Sequence, residues 1–108
     1  MKWSVETLNV VVDAELDKLP ADMLARFHHI SELIEEFGLE RVRKPHVKHL
    51  RGSLWEMRMK GQDGISRALY VIAVGKRVVV VRVFIKKTLK TPSREIELAL
   101  KRAKEIVK

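Results

Sequence analysis

The sequence predicts a single α+β domain spanning residues 1–108, in which helices from both ends of the chain cover a small antiparallel β-sheet. Three observations lead to this prediction. The length of 108 residues suits one domain, since domains usually contain roughly 100–150 residues. Apolar residues alternate in the middle of the chain, as in strands, and recur every three or four residues on either side, as in helices. No repeat, low-complexity tract or linker divides the sequence.

The first 38 residues predict one strand and a helical hairpin. Residues 2–8 alternate weakly and are expected to form the first strand. Asn9 is suited to cap a short helix, and Pro20 suits the first position of a second helix that Gly38 ends. The apolar stripe of the second helix consists of Met23, Phe27, Ile30, Ile34 and Phe37.

The middle of the chain predicts a loop and then a three-stranded meander. Residues 39–53 contain Pro45 and Gly52 and show no apolar period, so we expect a loop with room for one helical turn. Tight-turn residues separate the three strand segments that follow, at 54–60, 65–74 and 77–85. The N-terminal helices are expected to cover the apolar face of the last strand, formed by Val79, Val81, Val83 and Ile85.

The C-terminal segment predicts a final helix. Thr91 is a candidate cap, Pro92 suits the first helical position, and the apolar period extends to about Val107. The predicted order of elements is therefore β-α-α-β-β-β-α.

The composition excludes several classes of protein. The chain has no cysteine, which excludes a disulfide scaffold, a thiolate zinc site and a cysteine nucleophile, and which is typical of a reducing cytoplasm. No apolar run approaches the roughly 18 residues of a spanning helix. We therefore expect a cytoplasmic protein that does not interact with a membrane.

The charge is strongly segregated along the chain. Residues 1–40 carry three basic and nine acidic side chains, whereas residues 41–108 carry nineteen basic and five acidic ones. A segment with a net charge of +14 attracts polyanions at long range. Nucleic acid is the obvious polyanion, although an acidic protein surface would satisfy the same field.

Basic side chains lie on three neighbouring strands of the predicted sheet or directly after them. Alternation places Arg58 and Lys60 on one face of the first strand, together with Glu56. Because adjacent strands lie about 4.8 Å apart, Arg67 and the lysines after the last strand can converge with Arg58 on one phosphate-sized pocket. Arginine binds phosphate through two parallel hydrogen bonds, and lysine adds a point charge.

Some of these residues also have purely structural interpretations. Arg58 and Glu56 can form an ordinary ion pair. Tyr70 can stack on a base, or it can be a core tyrosine with one hydrogen bond. Strict alternation places Tyr70 opposite Arg67, so it joins the basic face only through a bulge or at a strand end.

The four histidines do not predict a metal site. His28 and His29 are adjacent on a helix and point about 100° apart, so they cannot bind one metal together. His46 and His49 have a suitable spacing but no evident third ligand. His49 lies beside the basic stretch that leads to Arg58 and is the histidine expected to transfer protons.

Three runs of the sequence carry a family resemblance: HLRGSLWEMR at 49–58, GISRALY at 64–70 and VFIKKTLKTPSREIELALKR at 83–102. They resemble the phage-derived branch of the RelE/ParE/HigB toxin superfamily, and ELDKLPADMLARF lies where that branch has a helical hairpin. The resemblance covers nearly the whole chain. It departs from the family pattern at three positions, with Met57 for Leu, Ser66 for Tyr and Arg82 for His.

The resemblance implies a RelE-like, microbial-ribonuclease-like fold and the toxin half of a type II toxin–antitoxin pair. Such toxins commonly cut mRNA on the translating ribosome. The implied partners are mRNA, the ribosome and an acidic antitoxin of the helix-turn-helix type, and whether the pair binds operator DNA through the antitoxin stays open. The ParE branch instead inhibits gyrase, and a non-catalytic nucleic-acid-binding phage protein is a third alternative.

The predicted activity is a metal-independent endoribonuclease without a cofactor. An RNA 2′-hydroxyl would attack its own 3′-phosphate, with the arginines stabilising the phosphorane and a lysine or His49 acting as the base. The predicted catalytic residues are Arg58, Arg67, Lys86, Lys87, Tyr70 and His49. The predicted RNA-binding residues are Lys48, Arg51, Lys60, Arg82, Lys90 and Arg94.

Overall fold

The chain forms a five-stranded sheet with helices on both faces, as a computed structural model of residues 2–42, 46–86 and 90–106 shows. The predicted α+β class, with an N-terminal helical hairpin and a C-terminal helix, is confirmed. The elements in chain order are β1 (Ser4–Thr7), α1 (Val10–Asp17), α2 (Ala21–Phe37), a 3₁₀ turn (Leu39–Arg41), β2 (Val47–Arg51), β3 (Leu54–Gly61), β4 (Gly64–Ala73), β5 (Arg77–Lys86) and α3 (Ser93–Ala103).

The strand order is β1-β5-β4-β3-β2. The strands β3, β4 and β5 form the predicted antiparallel meander. The strand β1 pairs parallel to β5, so the sheet is mixed rather than antiparallel throughout as predicted. The strand β2 is a correction to the predicted loop at 39–53: it pairs antiparallel with β3, Val47 lying opposite Met57. It was missed because it lies at the edge of the sheet and exposes Lys48, His49 and Arg51, which leaves it without an apolar period.

Each face of the sheet has its own core. The helices α1 and α2 cover one face, which we call the hairpin face, where Met57, Tyr70 and Val80 are fully buried. The helix α3 covers the other, the α3 face, where Leu54, Leu69 and Val81 are fully buried. Phe37 was expected in the buried stripe of α2 but is 54% exposed, because α2 ends there and Ile34 is its last core residue.

A β-bulge in β5 changes which valines face which helices. Leu69 pairs with Arg82 while Tyr70 pairs with Val80, so Val81 is an extra residue. The prediction of one continuous apolar face was therefore wrong. Val79 and Val81 pack under α3, whereas Val83 faces the hairpin and Ile85 is half-exposed.

The two predicted helix starts have different outcomes. The Asn9 cap is confirmed, since its Oδ1 accepts the N–H groups of Val11 and Val12 at 3.1 Å. Thr91 does not cap α3: Pro92 takes the cap position without a side-chain hydrogen bond, and the Thr91 hydroxyl donates to Glu56 instead. The predicted end near Val107 lies outside the described residues.

Beyond β1, the edge of β5 is closed by side chains. The Glu15 carboxylate accepts the Val83 N–H at 3.1 Å, and Arg102 donates to the Val81 carbonyl at 2.9 Å. Arg82 joins the same group, 2.8 Å from Glu15 and 2.8 Å from Glu95. We call these four charged residues (Glu15, Arg82, Glu95 and Arg102) the β5 edge network.

Candidate active site

The pairing of the strands aligns basic side chains in rows across the α3 face. Residues directly opposite each other in an antiparallel pair point to the same side of the sheet. Arg58 lies opposite Arg67, and Lys86 lies opposite Ile65, which in turn pairs with Lys60. The structure therefore places Arg58, Arg67 and Lys86 on one face at one end of the sheet.

A buried carboxylate links the two arginines. The Oε1 atom of Glu56 lies 2.8 Å from Arg58 Nε and 3.3 Å from Arg67 Nε, and its other oxygen accepts the Thr91 hydroxyl. Glu56 and Arg67 are fully buried, whereas the Arg58 side chain is 30% exposed. Because two cations meet one anion, the cluster keeps a net positive charge next to solvent.

His46, which the sequence did not predict as a site residue, lies beside Arg58. The Arg58 N–H donates to the carbonyl of His46 at 2.8 Å, which extends the β2–β3 pairing by one residue. His46 therefore lies in the same row as Arg58 and Arg67 on the α3 face. The position of His46 follows from the register between β2 and β3. The sequence could not indicate it, because β2 was not predicted.

A small cavity lies at this position. Its volume is about 270 Å³, and it is lined by Arg26, His46, Arg58, Lys60 and Ile65. Four of these five residues have basic side chains, and none of the five is a carboxylate. Arg26 comes from α2 and was not singled out from the sequence. The cavity is suited to an anion of the size of a phosphate group.

The structure does not bring Tyr70 to this face. Tyr70 lies on the hairpin face, fully buried, and burial raises the pKa of its hydroxyl well above its ordinary value. The bulge that could have moved it lies in β5, at Val81, and leaves the alternation of β4 intact.

His49 is also on the hairpin face, opposite Trp55 in the β2–β3 register. Its ring packs against Trp55 at a tilt of 55° with centroids 4.8 Å apart, and its Nε2 lies 2.8 Å from the Gly52 carbonyl oxygen. Together with Tyr70 it lines a second cavity of about 640 Å³, bounded on another side by Trp3. The position of His49 separates it from the arginines.

The predicted RNA-binding residues fall into two groups. Five of them have exposed positions around the sheet and α3: Lys48, Arg51, Lys60, Lys90 and Arg94. Arg82 instead belongs to the β5 edge network, where the hydrogen bond that it donates to Glu95 raises its pKa although burial opposes the shift. Its charge is neutralised within the fold, so the structure does not place it among the accessible cations. Lys86 is half-buried at the end of β5, and Lys87 lies outside the described residues.

Two further features of the described chain bear on its chemistry. Within residues 2–42, 46–86 and 90–106, no group of three His, Asp or Glu side chains is arranged to hold a metal ion. None of the helices in those ranges has the length and apolarity needed to cross a membrane.

Comparisons with known proteins identify a family and a fold for this chain. The family described as "Phage derived protein Gp49-like (DUF891)" matches residues 14–104. No curated protein matches the chain. A mutant of the E. coli toxin RelE in the free state is similar in structure, with a TM-score of 0.67 and 19% identity over 94% of this chain and 98% of that chain.

A second solved structure is also similar. The archaeal RelE–RelB complex from Pyrococcus horikoshii OT3 contains a chain that matches with a TM-score of 0.56 and 22% identity, over 79% of this chain and 96% of that chain. At these identities the two structures establish the fold, and the family match covers most of the sequence. The chain therefore belongs to the phage-derived Gp49-like family and has a RelE-like fold.

Proposed function

We propose that this protein is the toxin of a type II toxin–antitoxin pair and cuts mRNA on the translating ribosome. The observation that carries the proposal is the alignment of Arg58, Arg67 and Lys86 on one face, beside a cavity lined almost entirely by basic side chains. The RelE-like fold supports it, because that fold is shared with a protein described as a toxin.

The proposed chemistry is a transesterification that requires no metal ion. The 2′-hydroxyl of one nucleotide attacks its own 3′-phosphate, which yields a cyclic phosphate and a new 5′-hydroxyl end. Negative charge accumulates on the phosphorane, where a well-placed donor can be worth about 3 kcal/mol. Arg58 is the residue best placed to provide that donor, because its side chain is 30% exposed whereas that of Arg67 is fully buried.

Glu56 and Arg67 hold the Arg58 side chain in position. Arg67 is fully buried and Glu56 lies between the two guanidinium groups, so the ion pair restricts the orientation of Arg58. A preorganised donor stabilises a transition state better than one that must be ordered during the reaction. In this proposal Arg58 contacts the phosphate, while Glu56 and Arg67 act as positioning residues.

The proposed partners follow from charge and from the similar complex. Residues 41–108 carry a net charge of +14, which favours both RNA and an acidic antitoxin. One of the similar structures is a complex of RelE with RelB. We propose a cognate acidic antitoxin of helix-turn-helix type, encoded in a neighbouring reading frame, and a dependence on the ribosome for efficient cleavage.

The test is induced expression followed by mapping of the 5′ ends of cellular mRNA. The wild-type chain should produce cuts in phase with codons, and Arg58→Ala should reduce their frequency about 100-fold. Lys101→Ala is the matched control, since it removes one exposed cation from the far end of α3 and should leave the cuts unchanged.

Other results would assign a different function. Growth arrest with intact mRNA and damaged DNA would identify a gyrase inhibitor. Harmless expression of a chain that binds RNA with a steep salt dependence would identify a non-catalytic binding protein. Equal cleavage by the wild type and a folded Arg58→Ala variant would remove Arg58 from the mechanism.

A further inference from the structure

We propose that His46 is the catalytic residue that accepts the proton of the attacking 2′-hydroxyl. This inference rests on the proposed ribonuclease function and assigns the general base within it. The sequence favoured His49 or a lysine for this role, and the geometry favours His46.

The position of His46 is set by the backbone. Its carbonyl accepts the Arg58 N–H at 2.8 Å, so the two residues are cross-strand neighbours whose side chains share the α3 face. Side chains of such neighbours have Cβ atoms about 4.5–5.5 Å apart. The imidazole is therefore within reach of a phosphodiester bound by the Arg58 guanidinium.

The cavity provides the second observation. His46 is half-buried and lines the 270 Å³ cavity with Arg26, Arg58 and Lys60. Arginine and lysine ordinarily hold their protons at neutral pH, whereas imidazole both accepts and donates a proton in that range. Among the described residues that line this cavity, His46 is the side chain suited to act as a base.

The other histidines do not occupy such a position. His28 and His29 are exposed on α2, and the ring of His28 rests edge-on against Phe27. His49 lies on the hairpin face against Trp55. Of the four histidines, His46 is the one that the strand register places in a row with Arg58 and Arg67.

The reaction step is balanced without a further reactant besides water. The 2′-oxygen forms a bond to phosphorus as its proton passes to the neutral imidazole of His46. The bond between phosphorus and the 5′-oxygen breaks, and that oxygen takes a proton from water. The imidazolium then returns its proton to solvent, which restores the enzyme.

The experiment measures single-turnover cleavage of a labelled mRNA on programmed ribosomes by the purified protein. The variant His46→Ala should cleave about 100-fold or more slowly than the wild type, because general-base catalysis contributes about that much. Added imidazole should restore cleavage in proportion to its concentration, since a small base can occupy the vacated space. A purely structural role would not respond to imidazole.

Two variants complete the test. His29→Ala removes an exposed histidine from α2 and should cleave at the wild-type rate with no response to imidazole. Cleavage by His46→Ala at the wild-type rate would overturn the proposal, and so would loss and imidazole rescue in His49→Ala instead. Absence of cleavage by the wild type would refute the ribonuclease function itself. Thermal unfolding of each variant shows whether a slow rate reflects a misfolded chain.

Discussion

Glu56 has a structural role in the fold and a positioning role in the proposed site. As a fully buried carboxylate it needs partners, and Arg58, Arg67 and Thr91 provide them. The same contacts hold the exposed part of Arg58 at the mouth of a cavity. Thr91 lies two residues before the start of α3, so the contact also attaches the start of that helix to the sheet. Glu56 therefore both stabilises the α3 face and orients Arg58, the residue proposed to bind the phosphate.

Tyr70 provides a spectroscopic test of its burial. It is the only tyrosine of the chain, and burial raises the pKa of its hydroxyl well above the ordinary value of 10.0. Because the folded pKa is raised, this group stabilises the fold fully below pH 10 and loses that contribution as the pH rises further. We expect no tyrosinate absorbance in an alkaline titration until circular dichroism shows unfolding.

The control for this titration is the same chain in concentrated urea, where the midpoint should return to about 10. A midpoint near 10 in a chain that keeps its native circular dichroism would show that the Tyr70 hydroxyl reaches solvent.

The sequence predicted the faces of single residues better than it predicted their burial. Alternation correctly separated Arg58 and Arg67 from Tyr70. It could not show that Glu56 is buried, because a charged side chain on an alternating strand reads as solvent-facing unless its ion partners are known. The sequence also could not show which of His46 and His49 shares a face of the sheet with Arg58, because that depends on the register of β2.

Among the elements, β5 is the one whose neighbours differ most along its length. Its first residues pair with β1, and beyond Val80 the β5 edge network takes over the role of a neighbouring strand. An exposed strand edge is a template for pairing with another chain, and charged side chains that bind its backbone groups protect it. The network therefore protects the second half of β5.

The network makes stability depend on pH. Burial alone would raise the pKa of Glu15, but hydrogen bonds from Arg102 and from the Val83 N–H, together with the charges of Arg82 and Arg102, lower it below its ordinary value of 4.5. A lowered folded pKa means stabilisation that is present above pH 4.5 and lost as the pH falls. We expect Glu15→Gln to lower the free energy of unfolding by about 2 kcal/mol at neutral pH.

Urea denaturation across a pH series measures this effect. The difference between wild type and Glu15→Gln should shrink as the pH falls below 4.5. Glu36→Gln, at an exposed site on α2, should stay within about 0.5 kcal/mol of the wild type throughout. A constant difference at every pH would contradict the assigned role of the Glu15 carboxylate.

The sequence pattern identified helix α2 but could not identify the bulge in β5. Helix α2 was predicted from its stripe and from Gly38, whose φ of +90° is a conformation that glycine adopts easily. The bulge in β5 lies in a run of four valines, where shifting the face by one residue leaves the sequence pattern unchanged. Four identical side chains therefore could not reveal that Val79 and Val81 face α3.

At the scale of the whole molecule, fewer basic side chains are available to a ligand than the net charge suggests. The chain carries a net charge of +8, but Arg67, Arg82 and Arg102 are engaged with carboxylates or with the backbone. Lys60 is exposed at the cavity, and the Arg58 side chain there is 30% exposed. Ligand binding should therefore depend on the accessible cations rather than on the total.

The salt dependence of RNA binding separates the two kinds of cation. The logarithm of the affinity falls linearly with the logarithm of the salt concentration, and each phosphate contact on single-stranded RNA makes this slope steeper by about 0.7. Lys60→Ala should reduce the slope by about that amount, whereas Arg82→Gln should leave it unchanged because Arg82 already pairs with Glu15 and Glu95. Titration of a fluorescent RNA oligomer at several salt concentrations measures both slopes, and an equal reduction in both would refute the distinction.

The parallel pairing of β1 with β5 has a consequence for synthesis of the chain. Ser4 pairs with Arg77, so β1 leaves the ribosome exit tunnel well before β5, which is the strand that it pairs with. Until β5 emerges, a nascent chain cannot complete either core, because β5 contributes valines to both. Translation that stops before Arg77 therefore releases a polypeptide without β5 and without the two strand pairs that β5 forms, and the fold is acquired only after β5 has been synthesised.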